Sequence, residues 1–230
     1  MQMTKLQPFF SYFGSKWRAI PTYPKPEKPI IIEPFAGAAS YALHYPNRTV
    51  CLIDKDPIIC GIWEYLIKAT VREILELPDK FESVDEIQAP QEAKWLIGFW
   101  LNRATTHPCN KPSAWMRTGE HDTSFWGLEK RIRIAGQLEY IRHWKIINAS
   151  YDTALNYDAT WFIDPPYQRM GHCYRFSDID YSHLASWCNT RQGQVIVCEQ
   201  EGADWLPFSP HGKFKANHAS KTTNEVIYNK

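Results

Sequence analysis

The chain contains no apolar run approaching the roughly 18 residues that a membrane-crossing helix needs, and residues 1–10 lack the apolar centre of a signal peptide. A cytoplasmic protein with no membrane partner is expected. There is no C-x-x-C pair either. The six cysteines (Cys51, Cys60, Cys109, Cys173, Cys188 and Cys198) are widely spaced, which argues against a disulfide framework and a zinc knuckle and leaves reduced thiols. His107 with Cys109, and His172 with Cys173, each lack a second pair at ligand spacing, so no metal is expected. Net charge is nearly absent: 26 basic against 25 acidic residues give +1, so any nucleic-acid surface must be local. Internal repeats and low-complexity segments are missing too. What is present is a chain of 230 residues, 44% hydrophobic and 22% charged, long enough for one α/β domain with insertions or two small domains. Its unusual feature is an aromatic share of 14%, with 10 Trp.

Pro21, Pro24, Pro26 and Pro29 make residues 21–29 an extended tether. The apolar run 30–35 and the small residues Ala36, Gly37 and Ala38 then lead into a helix-compatible 39–44, a strand–turn–helix pattern. A second strand over 49–53 ends at Asp54 and passes through Pro57 into an amphipathic helix over 58–69. Two successive β-α units imply an α/β fold with a parallel, doubly wound, Rossmann-like sheet. Strand signals vanish over 71–142, where helices are expected at 91–103 and 128–142 around a polar loop at 105–127. They resume at 145–148, 160–163, 194–198 and 226–228, with a helix over 181–190. The organisation expected is a catalytic domain from residues 1–70 and 143–230, interrupted by a mainly helical insertion at 71–142.

The most specific string is Asp164-Pro165-Pro166-Tyr167, directly after the apolar Trp161-Phe162-Ile163. Two prolines stiffen the turn, and open α/β sheets place their sites at the carboxyl ends of strands. An acid, a fixed carbonyl and an aromatic ring converging there suit a planar heteroaromatic amine. The amino lone pair of adenine is delocalised into its ring. Attack on a methyl donor therefore needs acceptors that stabilise the positive charge developing on nitrogen, and Asp164 and the Pro165 carbonyl are such acceptors. Tyr167 offers a ring for stacking a base extruded from a duplex. Glu33-Pro34-Phe35-Ala36-Gly37-Ala38 ends the first strand in a small-residue turn that lets backbone approach a ligand closely, and Asp54, some twenty residues on, ends the second strand where an acid can accept ribose hydroxyls. Phe10-Ser11-Tyr12-Phe13-Gly14-Ser15-Lys16, an aromatic and basic stretch, has no meaning by itself.

Together these strings resemble the Dam-like class of DNA adenine-N(6) methyltransferases. Tyr12-Phe13-Gly14-Ser15-Lys16 is similar to the family's N-terminal donor-binding motif, with Gly-Ser-Lys where the family usually has Gly-Gly-Lys. Glu33 to Gly37 resembles the methionine-side loop, Asp54 the ribose ligand and Asp164 to Tyr167 the catalytic motif. Asn148-Ala149-Ser150-Tyr151-Asp152 resembles the segment whose acid contacts the donor's adenine, which implicates Asp152. Lys221-Thr222-Thr223-Asn224-Glu225-Val226-Ile227 is similar to a C-terminal family segment with no chemistry evident from its residues. The order of donor motif, insertion and catalytic motif matches the family. The resemblance implies an S-adenosylmethionine-dependent enzyme that methylates adenine in double-stranded DNA, with a Rossmann-like methyltransferase sheet, and with tyrosine and lysine side chains (Tyr12 and Lys16) at the donor. Such enzymes occur in restriction-modification systems.

The insertion departs from the family: Leu101-Asn102-Arg103 looks like a family element, but 104–127 does not extend the match. Residues 101–145 carry eight Lys and Arg against four acids. A locally basic segment containing Trp115, Phe125 and Trp126 fits phosphate contacts beside aromatic surface, with Arg103, Arg117, Arg131 and Arg133 as candidates. Transfer to the cytosine amine or to RNA adenine, or a catalytically silent DNA-binding protein of the same fold, remain alternatives at this level.

Overall fold

The computed structural model describes residues 5–102, 105–114, 125–169, 171–215 and 222–230. Four parallel pairings join β1 (Ile30–Glu33), β2 (Thr49–Asp54), β3 (Lys145–Asn148), β4 (Ala159–Ile163) and β5 (Gly193–Gln200). A hairpin of β6 (Ser209–Lys215) and β7 (Thr222–Asn229) completes the sheet, with β7 antiparallel to β5. The strand order is β3-β2-β1-β4-β5-β7-β6. This is a doubly wound, Rossmann-like α/β sheet. The chain winds outward from β1 through β2 to β3 and returns to β4, so the order reverses between β1 and β4. Open α/β sheets bind ligands at such a switch point.

Strand burial explains why these segments are continuous apolar runs. All five residues of β4 and the six central residues of β5 are buried, as expected of strands covered on both faces. One face packs Phe9, Phe10, Tyr41, Trp63 and Phe162 together with helices α1 (Pro57–Lys68), α2 (Val71–Glu76), α3 (Gln91–Trp100) and α4 (Leu128–Ala135). The other packs Trp161, Ile163, Val195 and Val197 against Leu184, Trp187 and Cys188 of α5 (Tyr181–Thr190). Helix α1 starts where Asp56 accepts the Ile58 amide at 2.9 Å with Pro57 in the first turn, and it buries Ile59, Ile62, Trp63 and Leu66 as one stripe. No helix among the described residues is long and apolar enough to cross a membrane.

The structure differs from the sequence expectation in several places. Only Ala42–His44 of the expected first helix is helical, as a 3-10 turn, because Gly37 and Ala39 both take positive φ and delay the start. The expected helix over 128–142 ends at Ala135, and the chain passes through Gly136 into a 3-10 turn at Leu138–Ile141. Helix α2, held by a Thr70–Glu73 capping box, and strand β6 lacked a hydrophobic period that would announce them. Residues of the insertion, among them Ile74, Leu96, Phe99, Trp100 and Ile134, share one core with the strands. Phe125 and Trp126, expected at a surface, are buried, and the Trp126 indole donates to the Pro78 carbonyl at 2.8 Å.

Candidate active site

An open cleft of about 930 Å³, open solvent at its mouth included, lies at the carboxyl ends of β1, β2 and β4. One wall follows β1. The Gly37 amide donates to Asp54 Oδ2 at 2.9 Å and the Asp56 amide to Asp54 Oδ1 at 2.8 Å, so one carboxylate ties the β1 turn to the end of β2. The Trp63 indole donates to the Gly37 carbonyl at 2.8 Å, and the Ala36 amide to the Ile53 carbonyl at 3.0 Å. Glycine is required at residue 37 because its φ is +45° and a side chain would press on the Tyr12 ring. Glu33, Pro34, Phe35, Ala36, Gly37, Asp54 and Tyr12 all line the cleft. Phe35 stacks on Tyr151 with ring centroids 5.2 Å apart, forming an aromatic side wall.

Asp164 and Pro166, at the end of β4, form the opposite wall. The turn is fixed at three points beyond the prolines: Tyr181 donates its hydroxyl to the Pro166 carbonyl at 2.7 Å, the Gln168 amide to Glu199 Oε2 at 3.0 Å, and the Gly171 amide to the Tyr167 carbonyl at 2.7 Å. Among the described residues nothing donates to the Pro165 carbonyl, and the Tyr167 hydroxyl is buried without a partner. Behind the wall, Lys16 is 6% exposed with its ammonium 3.0 Å from Asp164 Oδ1, 3.6 Å from Glu225 Oε1 and 4.6 Å from the Tyr167 ring centroid.

Three carboxyls of the cleft are pushed upward, each mainly by burial: Asp54 to about 6, Asp164 to about 6 and Glu33 to about 8. At Asp54 the amides of Asp56 and Gly37 oppose the shift, and at Asp164 the Lys16 ammonium opposes it. Burial thus favours the neutral form of Glu33, which is 2% exposed and accepts the Ala42 amide at 2.7 Å. For Lys16, burial disfavours the charge, yet Asp164 leads a set of neighbours that outweighs it and the ammonium is retained.

The roof of the cleft was not legible in the sequence. Tyr174 packs on Tyr12 and Phe13 and points its hydroxyl at the Phe13 carbonyl, 3.4 Å away, in space that a side chain at Gly14 would fill. Arg175 approaches Asp56 at 3.6 Å, and Phe176, Asp178 and Ile179 also line the cleft. A single aromatic spacing in this loop carries no periodic signal, and only its proximity to the Asp164–Tyr167 turn could have drawn attention to it.

Several expected site residues sit elsewhere. Lys16, Pro165 and Tyr167 do not line the cleft, and the Lys16 ammonium is paired with Asp164 and Glu225. Asp152 is exposed in the 3-10 turn Tyr151–Thr153, and Ser150 and Tyr151 line the cleft in its place. Arg131 donates to the Leu75 and Leu77 carbonyls at 2.7 and 2.8 Å and pairs with Asp79 at 2.7 Å. Arg133 donates to the Pro8 carbonyl at 2.9 Å and lies over the Trp100 ring. Both half-buried guanidiniums are thus engaged within the protein, which weighs against them as phosphate contacts. Arg103, Arg117 and Trp115 lie outside the described residues. No group of three or more His, Cys, Asp or Glu among the described residues is arranged to hold a metal ion.

No family model matches the chain, and no curated protein matches it. Among solved structures, it is similar to yhhF from Escherichia coli, named "putative methyltransferase", at 10% identity and TM-score 0.39, covering 94% of this chain and 80% of that one. The Haemophilus influenzae protein HI0767, named "putative methylase", gives 10% identity and TM-score 0.34, with 87% and 78% covered. A conserved hypothetical protein of Streptococcus pyogenes gives 11% identity and TM-score 0.35, with 93% of each chain covered. Likeness at this level transfers no activity.

Proposed function

We propose that the protein is an S-adenosylmethionine-dependent methyltransferase acting on the exocyclic amine of adenine in double-stranded DNA. The observation that carries this reading is that the turn tied by Asp54 and the Asp164 and Pro166 side chains after β4 line one cleft at the switch point of the sheet. Charge supports it: Asp54, Asp56, Asp164 and Asp178 line the cleft, with Lys55 and Arg175 as the lining cations among the described residues, which favours a ligand carrying positive charge. The close backbone at Gly37 and the Phe35–Tyr151 aromatic wall fit the shape and apolar faces of a nucleoside.

S-adenosylmethionine, when bound, supplies a methyl group on a sulfonium, whose sulfur keeps the bonding pair as the amine nitrogen takes the methyl. Asp54 holds ribose hydroxyls in this reading. Asp164 and the Pro165 carbonyl accept hydrogen bonds from the target amine and stabilise the charge that develops on it. Asp164 is also the group that receives the proton lost by the methylated amine. Tyr167, its ring oriented by Lys16, stacks on the extruded base. Arg103 and Arg117 are the remaining candidates of the insertion for phosphate contacts. The test is incubation with labelled S-adenosylmethionine and in vitro amplified DNA, followed by nucleoside analysis. Label in N6-methyladenine is expected. Label in the cytosine amine, in RNA alone or nowhere would overturn the reading.

A further inference from the structure

The C-terminal strand β7 places a second acid on the ammonium that Asp164 uses. Glu225 is 9% exposed, with Oε1 3.6 Å from the Lys16 ammonium and Oε2 accepting the Tyr23 hydroxyl at 2.5 Å. Its backbone is fixed on both sides, opposite Gln200 of β5 and Gly212 of β6. The group is therefore held in place from β7, from its two neighbouring strands and from the N-terminal segment at once. One ammonium serves two carboxylates, 3.0 Å from one and 3.6 Å from the other. With Tyr23 and Tyr167 neutral, the buried cluster of Lys16, Asp164 and Glu225 has one negative charge in excess when both acids are ionised.

We propose that Glu225 is a positioning residue for the transfer step, dividing the charge of Lys16 so that Asp164 keeps the excess negative charge facing the target amine. This rests on the function proposed above. The excess matters for two reasons. Positive charge appears on the amine as the nitrogen–carbon bond forms and the carbon–sulfur bond breaks, and a net anionic cluster stabilises it where a neutral Lys16–Asp164 pair would not. The methylated amine must then release a proton, and an Asp164 that does not own Lys16 outright accepts it more readily. Lysine alone would make Asp164 a weaker base, and among the described residues no other lysine or arginine is paired with it.

The groups facing Asp164 come from every side of the cluster: Lys16 from the N-terminal segment, Glu33 from β1, Cys198 and Glu199 from β5, Glu225 from β7, and Tyr167 and Tyr174 from the turn and the loop after it, while Tyr23 faces Glu225. Of these, Lys16 lowers the Asp164 carboxyl, whereas Glu225 and Glu199 raise it. Removing the charge at residue 225 therefore moves the titration of Asp164 downward.

The titration is followed by carbon NMR of aspartate-labelled protein without donor or DNA, with the Asp164 signal assigned from Asp164→Asn. Wild type is expected to titrate near pH 6, where burial places the group. In Glu225→Gln the midpoint should fall, and in Glu225→Asp, which keeps the charge but draws it back from Lys16, it should fall part of the way. Single-turnover transfer from S-adenosylmethionine to amplified DNA should drop in Glu225→Gln by on the order of tenfold, less than the loss of a direct transition-state contact, with its acid limb moved to lower pH and donor affinity unchanged. An unmoved Asp164 titration in Glu225→Gln, or in Glu225→Asp should the glutamine variant not fold, overturns the inference, as does wild-type transfer by Glu225→Gln. Failure of the underlying reading is distinguishable, because wild type would then transfer no methyl group while the donor-free titration still responds to residue 225.

Discussion

Replacing Asp54 separates two jobs that one carboxylate performs. Its two oxygens hold the amides of Gly37 and Asp56 at 2.9 and 2.8 Å, so Asp54→Ala frees two backbone donors as well as removing the proposed ribose ligand. Hydrogen bonds to a charged acceptor contribute about 1.5–3 kcal/mol each. Relief of the buried carboxylate and the surviving Trp63–Gly37 and Ala36–Ile53 bonds offset part of that. A net loss of about 1–3 kcal/mol follows, which lowers the melting temperature of a chain this long by roughly 3–10 °C. Affinity for S-adenosylmethionine should fall on the order of tenfold to a hundredfold.

Acid should reproduce the binding defect in the wild-type protein. Hydroxyls donate to the ionised carboxylate, and burial raises Asp54 from 3.8 to about 6, so affinity should decline as pH falls through about 6. The stability term runs the other way: with a folded pKa above the unfolded one, the contribution of Asp54 is present below about 3.8 and lost as pH rises through about 6. Asp54→Asn, which retains an acceptor but cannot ionise, should lose the part of the pH dependence that belongs to Asp54. Calorimetry with the donor at pH 5, 6 and 7.5, beside thermal denaturation, reads both jobs. Equal donor affinity of wild type and Asp54→Ala at pH 7.5 would refute the assignment of Asp54 to the donor.

Asp164→Ala should slow single-turnover methyl transfer at least about a hundredfold while donor affinity changes little, and a mispaired target adenine should not restore it. Tyr167→Phe should retain activity and melt no lower than wild type, because its hydroxyl has no partner among the described residues, whereas Tyr167→Ala should lose activity and be partly rescued by the mispaired substrate. Arg131→Ala should lower the melting temperature by several degrees, roughly 2–3 kcal/mol of lost carbonyl and Asp79 contacts, and leave the salt dependence of DNA binding unchanged. Arg103→Ala and Arg117→Ala should instead flatten the log-log salt slope by about 0.9 per lost phosphate contact. Glu33→Gln should gain stability relative to wild type as pH rises from about 4.5 to about 8, since the raised carboxyl of Glu33 stabilises the fold only while protonated; denaturant midpoints across that range provide the check.

What the sequence by itself determined are features written in contiguous residues. The strands β1, β2, β4 and β5 are apolar runs because both faces of a central parallel strand are covered, and the Pro57 start of α1 needs only its own first turn. The small-residue turn at Gly37 and the Asp164-Pro165-Pro166-Tyr167 turn are local as well, so their place at strand ends could be read directly, whereas only the structure shows that Gly37, Asp164 and Pro166 line one cleft. Pairings between side chains far apart in the chain were decided only by the tertiary structure. A lysine at residue 16 reads the same whether it meets a ligand or the carboxylates 148 and 209 residues away, and only the folded sheet brings Asp164 and Glu225 to it. Charge counting made the insertion basic, yet whether an arginine faces solvent or caps a helix depends on which carbonyls the fold leaves unpaired. Arg131 found those of Leu75 and Leu77 at the end of α2, a short helix whose capping box the sequence contained but whose six residues were too few to show a period.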